Sequence, residues 1–125
     1  MSRPVIDEAR FEQEWEQDRE LLGQLAANGD IASLERTIDV SFIGAEQALE
    51  PLAEAAEDLG FEFAQLAPDE DADEEDVWRL DLDIVQTVEA DAIKALTRKC
   101  LEIEAIYSGV EYDGWGCMAT TGANN

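Results

Sequence analysis

Carboxylates are the reactive groups this chain holds in quantity: 31 Asp and Glu stand against 8 Lys and Arg, with 2 cysteines and no histidine. The missing histidine removes the usual general base near neutral pH and every histidine-dependent triad. Cys100 and Cys117 alone cannot fill a structural zinc site, which takes four ligands. No glycine-rich phosphate loop is present, and Gly114-Trp115-Gly116 does not open a helix. Paired carboxylates can move protons, yet no pair stands in apolar surroundings that would tune one as an acid. Neither catalysis nor a cofactor is therefore expected. What the chain offers is attraction for cations.

The densest anionic stretch is Asp69-Glu70-Asp71-Ala72-Asp73-Glu74-Glu75-Asp76. Asp69, Asp71 and Asp73 match the opening of a calcium-binding EF loop. The match then fails, because Glu74 stands where that loop needs glycine and Leu80 where it needs its closing glutamate. Its flanks also read as strands rather than helices. Two readings fit the stretch, a solvated hairpin loop and a docking surface for a basic peptide.

A net charge of −23 and a pI near 4.1 set the wider field. Such a field repels phosphate backbones and anionic membrane surfaces, so neither nucleic acid nor membrane is an expected direct partner. It attracts metal ions or arginine- and lysine-rich protein segments. The plain alternative is charge that simply maintains solubility. The N-terminus lacks the apolar run of a secretory signal, and no stretch approaches a membrane span. Cys100 and Cys117 accordingly read as small apolar residues in a reducing cytoplasm.

Elements that could position these groups follow from periodicity. Phe11, Trp15, Leu22 and Leu25 recur at helical spacing, which predicts an amphipathic helix over 8–27 closed by Asn28-Gly29. Residues 34–43 alternate, with Arg36, Ile38, Val40 and Phe42 on one side and Thr37, Asp39 and Ser41 on the other. This is a half-buried strand. A second helix covers about 46–59, stopped by Gly60. Pro51 is awkward inside it and suggests a regular start only near Ala48. A short strand at 61–66 and a third at 77–86 flank the acidic loop. A last helix spans about 89–107, and a fourth strand starts at Val110.

One helix followed by βαββαβ predicts an α+β fold: an N-terminal helix and a ferredoxin-like sandwich with a four-stranded antiparallel sheet. A single domain is expected over 1–117, with a short flexible tail over 118–125. The site of docking of the first helix is not readable. With these registers the open sheet face displays Asp39, Asp81, Asp83, Glu111 and Asp113. Trp115, two places beyond Asp113, is provisionally on the same face, with packing under the first helix as the alternative. Together with the acidic loop these residues form the candidate partner-binding surface, matched to arginines that grip carboxylates bidentately. Lys94, Arg98 and Lys99 read as a solvated outer helix face with Glu102.

The segment Val110-Glu111-Tyr112-Asp113-Gly114-Trp115-Gly116 resembles the signature of the RraB family, the protein regulators of ribonuclease E. The Leu21-Leu22 helix end, the Leu59-Gly60-Phe61-Glu62 junction and the helix from Asp91 to Tyr107 fall in the family's order, over most of 8–117. The resemblance implies the same sandwich. It also implies a non-enzymatic regulator that binds ribonuclease E, chiefly its noncatalytic scaffold region, and alters RNA decay. Enterobacterial members continue from the motif into an acidic tail, whereas this chain continues Cys117-Met118-Ala119-Thr120. No binding residues are carried over from the family. The alternative reading is a cation- or small-molecule-binding domain of the same fold, unrelated to RNA decay.

Overall fold

The computed structural model describes residues 6–70, 72 and 76–120. Their order is α1 (Glu8–Ala27), β1 (Arg36–Gly44), α2 (Glu46–Ala55), β2 (Glu62–Pro68), β3 (Trp78–Gln86), α3 (Ala90–Ile106) and β4 (Glu111–Gly116). The strands form one antiparallel sheet in the order β2-β3-β1-β4, the expected ferredoxin-like arrangement. Both long central strands bury alternate residues: Ile38, Val40 and Phe42 of β1, and Leu80 and Leu82 of β3, are fully enclosed. The residues between them face outward, so one side of the sheet is dry and the other wet.

Leu49 and Leu52 of α2 and Ile93, Leu96, Cys100 and Ile103 of α3 complete the core over the dry side. Pro51 sits inside α2, which nevertheless starts at Glu46 rather than near Ala48. Regular α-helix ends four residues after the proline, and looser turns carry the chain on to Gly60. There the Phe61 N–H donates to Ala56 O (2.9 Å) and the Gly60 N–H to Glu57 O (3.0 Å). This paired closure needs a left-handed residue, and Gly60 supplies it with φ of 93°.

The first helix, whose docking site the sequence left open, packs along α3 at the β4 side of the sheet. Asp7 caps it by accepting from the Ala9 N–H (2.9 Å), and Phe11 and Leu25 are buried. Arg10 ties it to both neighbours, donating to Glu104 Oε2 of α3 (3.1 Å) and to the Tyr112 carbonyl of β4 (3.1 Å). The basic residues of α3 do face outward, with Lys94 exposed and Arg98 and Lys99 half-buried, and each also covers an aromatic ring. Lys94 lies 4.8 Å from the Trp15 ring centre and Arg98 lies 4.5 Å from that of Phe11, while Lys99 covers Phe61 at 4.8 Å. Helical periodicity placed them off the α3 core stripe correctly. It could not show that α1 and the start of β2 come to rest against that stripe's flank.

A buried ion pair anchors the connection from α1 to β1. Arg36 pairs with Asp30, and it also donates to the carbonyls of Ile31 (2.8 Å) and Leu34 (2.9 Å and 3.0 Å). Asp30 Oδ1 accepts the Thr120 N–H at 2.7 Å, and the Ile31 N–H donates to Thr120 O at 2.8 Å. These bonds hold Thr120, the last described residue, within the stretch expected to be a short flexible tail over 118–125. Apart from Arg3, which lies outside the described residues, every Lys and Arg has an intramolecular partner.

Candidate functional site

The wet face of the sheet gathers the candidate carboxylates, and β4 decides which residues join them. Tyr112 pairs with Phe42 and Gly114 with Ser41, so Asp113 is an extra residue without an opposite number. This is a β-bulge, and Gly114 makes it feasible by adopting φ of 122°, a value costly for a residue with a Cβ. The bulge shifts the alternation by one place. Asp113 therefore stays on the wet face, whereas Trp115 pairs with Val40 and turns to the dry face.

Trp115 is accordingly not a member of the open surface. Its Nε1–H donates to Asp18 Oδ1 of α1 at 2.8 Å, and Thr97 of α3 donates to Asp18 Oδ2 at 2.6 Å. Asp18 is buried, and burial raises its carboxyl above the usual range against the opposing pull of the two donors. One carboxylate thus joins α1, α3 and β4. The sequence offered Gly114 as the signal for this turn, because strict alternation holds only where no bulge intervenes.

On the wet side, Arg79 of β3 is held by three groups. It donates to Asp81 Oδ1 (3.1 Å), Asp113 Oδ2 (3.1 Å) and Ser41 Oγ (2.8 Å), and Ser41 in turn donates to Asp81 Oδ1 (2.8 Å). Asp81 and Asp113 are therefore already matched by a cation. Glu111 is exposed at the same end, paired in register with Ile43.

The other half of the face is unlike this. Asp39 of β1 stands opposite Asp83 of β3, and Asp83 stands opposite Glu62 of β2, so three carboxylates lie in one cross-strand row. Burial raises the Asp83 carboxyl, and the charges of Asp39 and Glu62 push it further in the same direction. Directly opposed like charges destabilise a sheet, so this row favours any cation that approaches it. Glu62 was not among the residues read from sequence. Its place depends on the β2–β3 register, which shifts between Phe63 and Gln65.

Of the acidic loop, Asp69, Glu70 and Asp76 are described, and Asp71, Asp73, Glu74 and Glu75 lie outside the described residues. The Asp69 N–H donates to Val77 O at 2.9 Å, closing the β2–β3 hairpin beside the Arg79 end of the face. Among the described residues no group of three His, Cys, Asp or Glu side chains could hold a metal ion. Cys100 is buried and Cys117 half-buried, both as free thiols. Among them, too, no helix is long and apolar enough to cross a membrane.

No curated protein matches the chain. The family model RraB, "Regulator of ribonuclease activity B", matches residues 15–117. That span takes in all four strands, the carboxylate row, the bulge and the Asp18–Trp115 contact. With most of its length matched, this chain belongs to the RraB family.

Proposed function

We propose that this RraB family member is a non-enzymatic cytoplasmic regulator that binds ribonuclease E and modulates RNA degradation. The wet sheet face is the docking surface, with Asp39, Asp83 and Glu62 as its centre and Asp81, Glu111, Asp113 and the acidic loop around them. Its complement is a basic segment, such as a scaffold that handles RNA must carry. Trp115 supports this surface from behind by fixing β4 against α1. Complementary charge speeds encounter and enforces selectivity, while added salt weakens it.

The observation that carries the reading is the in-register row of Asp39, Asp83 and Glu62, on a face whose arginine is already engaged by Asp81 and Asp113. The test is binding of a basic ribonuclease E scaffold fragment to the protein and to a Asp39→Lys/Asp83→Lys variant. The variant should bind about tenfold more weakly or worse, with a flatter salt dependence. Unchanged affinity would remove the face from consideration.

A further inference from the structure

The two edges of the sheet end differently. At the β4 edge the backbone is already satisfied: the Tyr112 N–H donates to Glu104 Oε1 (2.8 Å) and its carbonyl accepts from Arg10 (3.1 Å). Those side chains come from α3 and α1, which close that edge to further strands. At the β2 edge no described strand lies beyond, and Glu62, Phe63, Ala64 and Gln65 are all exposed.

We propose that the free edge of β2 receives an extended cationic peptide as a fifth strand, with basic and apolar side chains in alternation. The proposal rests on the acidic docking face and specifies how its partner lies on it. The carboxylate row runs from Asp39 through Asp83 to Glu62 and stops at this edge. A strand added there lies about 4.8 Å away, which sets one of its side chains directly beside Glu62. A basic residue at that place turns a repulsive row into an opposite-charge pair. Successive side chains of a strand face opposite ways, so the next residue of the guest points to the dry side. There it meets Phe63, which pairs with Leu82 yet is 50% exposed.

The same features exclude the wrong guest. A second copy of this chain, itself strongly negative, would add like charge beside Glu62, and the shift at Ala64 and the proline at Pro68 leave only a short pairing stretch. Self-addition is thereby opposed, whereas a short cationic strand is admitted.

The test uses the full chain and four synthetic peptides: one alternating Arg and Val, one of the same composition with Arg and Val in blocks, and two alternating versions N-methylated along one edge or the other. The alternating peptide should bind about tenfold more tightly than the blocked one. Only one of the two methylated versions should lose that advantage, and the alternating peptide should slow amide exchange within Glu62–Pro68. Glu62→Lys should weaken the alternating peptide more than Asp113→Lys, which lies at the far side of the sheet. Equal, salt-sensitive affinity for all four peptides would overturn strand addition while leaving the acidic docking face standing. Binding of none would overturn both.

Discussion

Asp18 and Asp83 are both carboxylates held above their ordinary range, and burial is the leading cause for each. Their surroundings differ in kind. Asp18 is enclosed between α1, α3 and β4 and is met by two neutral donors, Thr97 and Trp115. Asp83 lies on the wet face between Asp39 and Glu62, which add to its difficulty. The first arrangement is complete within the molecule. Among the described ion pairs the second meets no cation, and it is the one proposed for recognition.

Substitution of Trp115 tests the separation most severely. Trp115→Ala removes a core-facing ring and leaves Asp18 short of a donor, so it should cost about 3 kcal/mol in urea unfolding. If stability were unchanged and only partner binding fell, Trp115 would belong to the recognition side after all. Next in size, Gly114→Ala has space for its methyl group but not the backbone freedom. It should cost about 1–3 kcal/mol and disturb the tryptophan fluorescence.

Asp18→Asn sharpens the comparison through pH. A folded-state value above the unfolded one means that the group's stabilising contribution is present below the unfolded pKa and lost as pH rises through the folded one. The wild-type protein should therefore lose part of its stability as pH rises from the acid side toward neutrality. The asparagine variant should show a flatter melting profile over that window, and identical profiles would show that Asp18 does not contribute. Smallest of all, Asp83→Asn should raise neutral-pH stability by about 0.2–1 kcal/mol by relieving its row, while weakening a cationic partner. A loss of stability instead would mean that the row is already compensated.

Much of this was legible beforehand. The span of α1, the alternation of β1 and β3 and the sandwich order follow from local periodicity, because burial on one face writes itself into spacing. The wet-face positions of Asp39, Asp81 and Asp83 came from the same alternation. Alternation alone could not decide Trp115 between the open face and packing under the first helix, the alternative observed, because a bulge changes parity without changing composition. Glu62 was overlooked because register is a relation between two strands. The ring contacts of Lys94, Arg98 and Lys99 were not legible because their partners, Trp15, Phe11 and Phe61, lie far away in the chain.

Because Arg10, Arg19, Arg36, Arg79, Lys94, Arg98 and Lys99 are all engaged at home, neutralisation of this polyanion falls to small ions from solution. A basic partner would displace that mobile cloud into bulk water, and the freedom regained by the released ions would drive association. The protein's grip would then follow the ionic composition of the cell, tightening when monovalent salt is scarce and slackening under osmotic upshift.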